Sequence, residues 1–176
     1  MQRILVAGFG GQGIVSAGKM LAYAGMKEGK HVISLPSYGP EMRGGTANCS
    51  IIISKREIAS PFISHPDTLI VMNQASLDKF LERVLKDGLI IINSTLVSVD
   101  KNIKTRVKVL EIPANRIAVE LGNLKVANMI VLGAFARETG EVKLDFLKIA
   151  LEKILPSRRH NLIPINVKAL ERGFEI

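Results

Sequence analysis

The chain opens on a short apolar run, Ile4-Leu5-Val6-Ala7, and drops at once into Gly8-Phe9-Gly10-Gly11-Gln12-Gly13. A continuous apolar run of this length, closed by glycines, reads as a strand buried on both faces. Ile14, Ala17, Leu21 and Ala24 then recur at helical spacing on one face. Gly18 and Gly25 lie near that face; they cost helix propensity but let the helix approach a sheet closely. Gly29 is the expected stop. His31 to Leu35 reads as a second strand ended by Pro36, Ser37 to Gly45 as a turn-rich loop, and Thr46 to Ser54 as a third strand.

Residues 55–67, with Pro61 and Pro66, read as a polar connection. Thr68 to Met72 is a further buried strand. Asn73 is placed to cap a helix whose apolar face is Leu77, Phe80/Leu81 and Val84/Leu85, ending at Gly88. Leu89 to Ile92 and Val107 to Ile112 follow as strands. Asn115 to Arg137 reads as helical, with Gly140 after it. Leu144, Leu147, Leu151 and Ile154/Leu155 mark another amphipathic helix, and Pro164 suits the first turn of a last one ending near Gly173. This alternation predicts an α/β, three-layer α/β/α fold around a mostly parallel sheet. No linker or repeat divides the chain, so residues 1–176 read as a single domain.

Composition narrows the function. With 176 residues the chain has room for one sizeable core. It has one cysteine, Cys49, followed by Ile51, Ile52 and Ile53. One thiol supplies neither an internal disulfide nor the roughly four thiolates of an iron–sulfur cluster, and this one reads as a buried small hydrophobe. Such economy fits a reducing, cytoplasmic setting. No signal peptide and no apolar run of membrane-spanning length stands out, so no membrane contact is expected. The net charge of +8 favours an anionic partner. No stretch interleaves aromatics with Lys and Arg as RNA modules do, and Arg158-Arg159-His160 reads as a short solvated turn, so nucleic acid is not expected.

Two segments carry candidate chemistry. Gly8-x-Gly10-x-x-Gly13 lies between a strand and a helix, where backbone N–H groups can meet a pyrophosphate. A dinucleotide site also needs an acid at the end of the second strand. That strand ends in Leu35-Pro36-Ser37, and Glu28 precedes it. The glycines therefore read as a tight turn or as the edge of another anion or cofactor site, such as that of CoA or thiamine diphosphate, ahead of ordinary dinucleotide binding. No Gly-Lys-Ser/Thr follows, which excludes a Walker loop. The second segment, Pro36 to Thr46, packs Tyr38, Glu41 and Arg43 between Gly39, Pro40, Gly44 and Gly45. It reads either as a ligand loop on a rigid scaffold or as a Glu41–Arg43 surface pair beside a packed Tyr38.

The joint pattern is more specific than either part. Gly8-Phe9-Gly10-Gly11-Gln12-Gly13-Ile14, Ser37 to Gly45, Met72-Asn73-Gln74-Ala75-Ser76-Leu77 and Lys125-Val126-Ala127-Asn128-Met129 occur in that order. Together they resemble the γ subunit of the 2-oxoacid:ferredoxin oxidoreductases, from Met1 to about Leu155. The resemblance implies a Rossmann-like domain with no catalytic residue and no bound metal of its own. It implies partner α, β and ferredoxin-like subunits that hold thiamine diphosphate, Mg²⁺ and [4Fe–4S] clusters. It also implies CoA as a substrate and ferredoxin as the acceptor. By resemblance, Gly8, Gly10, Gly11, Gln12, Gly13, Tyr38, Glu41, Arg43 and Gly44 are candidate contacts to CoA, to the edge of thiamine diphosphate, or to another subunit. The Glu41-Met42 form of the loop leans to the 2-oxoglutarate subgroup, with branched-chain 2-oxoacids next. The alternatives are the small subunit of indolepyruvate:ferredoxin oxidoreductase, a free dinucleotide-binding protein and a non-catalytic interaction module. A homodimer of the isolated chain would stand in for a missing partner interface.

Overall fold

The computed structural model describes residues 1–38 and 45–176, and leaves the Tyr38 side chain undescribed. The strands are β1 (Gln2–Phe9), β2 (His31–Tyr38), β3 (Thr46–Ser54), β4 (Thr68–Val71), β5 (Leu89–Asn93) and β6 (Lys108–Ile112). The helices are α1 (Ile14–Lys27), α2 (Gln74–Phe80), α3 (Ala114–Glu120), α4 (Ala127–Thr139), α5 (Leu144–Ile154) and α6 (Ile163–Phe174). The strands form one sheet in the order β2-β3-β1-β4-β5-β6. β1, β4, β5 and β6 run parallel. β3 is antiparallel to both of its neighbours. Ala47 pairs with Gly8 on one side and with Tyr38 on the other. The carboxyl ends of β1 and β2 therefore share one edge of the sheet.

The apolar runs sit where their patterns require. Leu89 to Ile92 are all buried, because both faces of the parallel part are covered. One face carries Ile4, Val6, Ile51, Ile53, Ile70 and Ile91 against α1, α4 and the helices behind them. The other carries Leu5, Ala7, Leu69, Val71, Ile90 and Ile92 against α2 and the segment leading to β6. This is the expected α/β sandwich. Gly18 shows why α1 holds a costly glycine: a Cβ there would lie 2.3 Å from Cys49 Sγ. Cys49 itself is fully buried, as expected, and burial pushes its thiol pKa up.

Three elements depart from the sequence reading. β2 does not end at Pro36 but runs on to Tyr38, so Ser37 and Tyr38 are strand, not loop. Pro36 is admitted because β2 is an edge strand, where a missing N–H can face away from the ladder. The helix after Asn73 stops at Phe80 and passes into a 3-10 turn over Leu81–Arg83. Its last predicted turn is taken by the 55–67 connection: the Arg83 guanidinium donates to the Ile63 and Ser64 carbonyls, and Leu85 N–H to that of Pro66. The long helix expected from Asn115 breaks at Gly122, whose φ of 83° is left-handed. The Asn123 side chain then accepts from Lys125 N–H at 3.0 Å and starts a short 3-10 turn into α4.

Candidate functional site

The glycine segment closes β1 and opens α1 at the carboxyl edge. Gly8 still belongs to the strand, and a Cβ on it would come within 2.6 Å of both Gln12 Oε1 and Ile14 Cδ1. Gly11 and Gly13 have φ of 95° and 74°. A Cβ on Gly13 would also strike Asn128 Nδ2 at 2.3 Å. Gln12 ties the turn to the neighbouring strand. Its Oε1 accepts from Phe9 N–H at 2.7 Å and from Asn73 Nδ2 at 3.4 Å, while its Nε2 donates to the Met72 carbonyl at 3.0 Å. Gln12 thus spans the gap between β1 and β4, the pair whose onward connections pass to opposite faces of the sheet. Open α/β sheets bind ligands at such a switch point.

The edge is lined by neutral amides. Asn73 ends β4 and caps α2, its Oδ1 accepting from Ser76 N–H at 2.8 Å. Asn93 ends β5, fully buried, and its Nδ2 donates to Asn115 Oδ1 at 2.9 Å. Asn128, on the first turn of α4, donates from Nδ2 to the Gly13 carbonyl at 3.2 Å. Between these groups lies a cleft of about 280 Å³, lined by Gln12, Met72, Asn115, Leu124, Lys125 and Asn128. A second cleft of about 170 Å³ adjoins it across Gly11, Lys125 and Asn128, and runs back to Ser16, Arg159 and Asn166. Among the described residues no carboxylate lines either one. Gly13 leaves the N-terminus of α1 without a side-chain cap, so its first N–H groups face this edge. A larger hollow of about 360 Å³ lies at the opposite, amino edge, where Asp67, Asp87 and Glu138 mix with Lys86 and Lys108. Its mixed charge and its place away from the carboxyl ends make it the poorer candidate for an anion.

The candidate residues fall into two sets. Gly8, Gly10, Gly11, Gln12 and Gly13 meet at the carboxyl edge. Tyr38 ends β2 at the same edge, with its side chain outside the description, and Glu41, Arg43 and Gly44 lie outside the described residues. The far end of that stretch is anchored to the glycine turn: Gly10 N–H donates to the Gly45 carbonyl at 2.9 Å. Sequence reading missed Asn115, Arg159 and Asn166, which come from three separate helical segments. Only the short run of cations at Arg158-Arg159 gave any signal. Lys125 and Asn128 were visible as part of a motif but not as parts of a site. Among the described residues no group of three or more His, Cys, Asp or Glu could hold a metal ion, and no helix is long and apolar enough to cross a membrane.

Known proteins of one family are similar to this chain. Residues 3–176 match the family described as pyruvate ferredoxin/flavodoxin oxidoreductase. The ketoisovalerate oxidoreductase subunit VorA of Methanothermobacter thermautotrophicus is 37% identical over 98% of this chain, which spans only 36% of that relative's length. The 2-oxoglutarate synthase subunit KorC of Methanocaldococcus jannaschii is 34% identical, with 99% of this chain and 93% of the relative covered. The common γ subunit of the pyruvate/ketoisovalerate oxidoreductases of Thermococcus kodakarensis is 35% identical, with 99% and 96% covered. Among solved structures, the γ subunit of a keto/oxoacid ferredoxin oxidoreductase from Geobacter sulfurreducens superposes with a TM-score of 0.81 at 28% identity, covering 99% of this chain and 97% of that one.

Proposed function

The chain belongs to the pyruvate ferredoxin/flavodoxin oxidoreductase family, and from that premise we propose that it is the γ subunit of a 2-oxoacid:ferredoxin oxidoreductase and helps to bind CoA at its carboxyl edge. The complex would decarboxylate a 2-oxoacid, join the acyl group to CoA and pass the electrons to ferredoxin. The single observation that carries the CoA role is convergence. The runs beginning at Gly8, Met72 and Lys125 are far apart in sequence yet line one amide-rich cleft, with no carboxylate among its described lining residues, beside an uncapped helix N-terminus. Such an edge suits the phosphates of CoA.

In this reading thiamine diphosphate, Mg²⁺ and the clusters belong to partner α, β and ferredoxin-like subunits. The donors here do not fit a cluster, since the one thiol, Cys49, is packed against Gly18 inside the core. What this chain contributes is placement. Gln12 sets the turn, and the amides and Lys125 fix the position of an anionic substrate next to the partner that performs the chemistry. Neutral amides carry no charge that would repel it.

For the 2-oxoacid the Glu41-Met42 loop favours 2-oxoglutarate, with branched-chain acids next. The relatives carry ketoisovalerate, 2-oxoglutarate and pyruvate names at similar identity. One of them is named as common to two oxidoreductases, which supports a substrate choice made largely by other subunits. The test is capture of the tagged chain from its native cell, identification of the accompanying chains, and assay of that complex for CoA-dependent viologen reduction with each acid. Recovery without thiamine diphosphate-binding or cluster-binding partners would overturn the subunit reading. In the same complex, Arg43→Ala is expected to lower turnover about 10- to 150-fold, the loss of one charge-assisted hydrogen bond. Arg43→Lys should restore it only in part, because an ammonium lacks the planar fork. A change below about threefold in both would mark a surface pair with Glu41.

A further inference from the structure

The end strand of the sheet is open along its outer side. β2 pairs with β3 in register from His31 to Tyr38 and stands last in the strand order, so among the described residues one side of its backbone has no ladder partner. Exposed edges are usually blunted by charged residues, by prolines or by brevity. β2 is eight residues long, contains no Lys, Arg, Asp or Glu, and has Pro36 as its one such device. Beside it lies a groove of about 290 Å³, lined by Lys19, Tyr23 and Met26 of α1, by Val32 and Ser34 of β2, and by Ile154 at the end of α5. Met26 is 54% exposed there. Leu35, which alternation puts on the other face of the strand, is 40% exposed. Both faces of this edge therefore leave a large apolar side chain in water, as a seam awaiting a further strand would.

Charge says what kind of strand fits. No carboxylate stands among the described residues that line the groove. Lys19 lines it, and the Lys27 ammonium lies 5.5 Å from the centre of the Tyr23 ring. Neither lysine is in an ion pair among the described residues. We propose that β2 and this groove together take an extended, acidic segment of a partner subunit. Its backbone bonds the open side of β2, one large apolar side chain enters the groove beside Met26, and carboxylates on either side of it meet Lys19 and Lys27. The helix sets their spacing. Eight residues of α1 separate the two lysines, about 12 Å along the axis, which an extended chain covers in three or four residues at about 3.4 Å each. A second copy of this chain fits poorly, because a two-fold pairing at β2 brings the same lysines to both sides of the seam. The docking rests on the γ-subunit reading and names the edge by which the chain is held.

The test compares the full chain alone with the chain reconstituted with its partner subunits. Backbone hydrogen exchange is followed by mass spectrometry in both. Open-side amides of residues 31–38 should exchange at least about tenfold more slowly in the complex. Lys19→Glu and Lys27→Glu should each weaken assembly about tenfold or more, through loss of a charge-assisted contact and gain of a like charge. Lys101→Glu makes the same change ahead of β6, at the far end of the sheet, and should stay within about threefold. All three side chains are exposed, so the thermal melts should be unchanged. Added salt should weaken assembly of the wild type more steeply than that of Lys19→Glu, which a lysine that only packs would not produce. If the complex assembles while residues 31–38 exchange as in the free chain, the docking fails and the subunit reading stands. Protection that grows with concentration in the chain alone would make the occupant a second copy and overturn the acidic partner. Equal losses in Lys101→Glu and Lys19→Glu would mean diffuse attraction and overturn it too. If the wild type assembles with no partner subunit, it is the subunit reading that fails, and this docking falls with it.

Discussion

Single side chains at the carboxyl edge act mainly as ties, and their replacements should separate by the number of partners lost. Gln12 is both donor and acceptor, bonding the Met72 carbonyl and Phe9 N–H. Gln12→Glu keeps the acceptor and turns the donor into a second oxygen facing a carbonyl. It is expected to cost about 1–3 kcal/mol, the range for a hydrogen bond replaced by an unmatched polar contact, read as a lower midpoint in urea. Asn73 and Ser76 make a second contrast. Asn73 caps α2, so Asn73→Ala should lose about 1 kcal/mol. Ser76 Oγ is buried with no partner among the described residues, so Ser76→Ala should be neutral or slightly stabilising. A loss at Ser76 as large as that at Asn73 would show that its hydroxyl has a partner. The cap role of Asn73 was legible in the sequence, because capping is local. The Gln12 bridge was not, because its partners lie about 60 residues away.

At the level of elements, the tightest approach is between α4 and α6. A Cβ on Gly133 would lie 2.0 Å from the Leu170 carbonyl oxygen, and one on Gly173 would lie 1.9 Å from that of Ile130. These obstacles are backbone atoms and cannot turn aside. Gly173→Ala, which an isolated helix would welcome by about 1 kcal/mol, is expected instead to destabilise the chain by about 1–3 kcal/mol or more through overpacking. A melting temperature unchanged or raised in calorimetry would contradict the close crossing. Sequence reading placed Gly173 near a helix end and stopped there. A glycine that ends a helix and one that admits another helix look alike until the second helix is in place.

For the whole molecule, the two outer signals are acid sensitivity and dependence on partners. Arg3 joins the amino ends of β1 and β4 through two side-chain bonds and one backbone bond to Asp67, at 2.8–2.9 Å. Burial alone would raise the Asp67 carboxyl, but the Arg3 hydrogen bonds and charge outweigh it and hold the pKa below its ordinary value. A depressed folded pKa means that the contribution is fully present above the unfolded carboxylate range, near about 4. It is lost as pH falls through the lower, folded value. Asp67→Asn should therefore lower stability near neutrality and flatten the acid limb of the stability–pH curve. Equal slopes for both proteins between about pH 5 and pH 2 would rule the pair out as a source of acid sensitivity. The purified chain is also expected to show no 2-oxoacid-dependent viologen reduction until partner subunits are added. Turnover by the chain alone would sink the γ-subunit reading.

Much of this protein follows from local rules that the sequence carries openly. Apolar runs of strand length, helical spacing from Ile14 to Ala24, the Asn73 cap and glycine stops gave the α/β alternation, because each depends on neighbours within a few residues. Four ordered motifs gave the family. The tertiary structure decided what distance conceals. β3 lies antiparallel between β1 and β2, a matter of pairing rather than propensity. Pro36 stays in a strand because that strand is an edge. The helix expected after Asn115 breaks at Gly122, which sets Lys125 and Asn128 beside Gly13. Gln12 and Asn128 each stood in a visible motif, but their meeting with Asn115 and Asn166 has no local signature, because the forces that gather these residues are the packing and hydrogen bonds of elements remote in sequence.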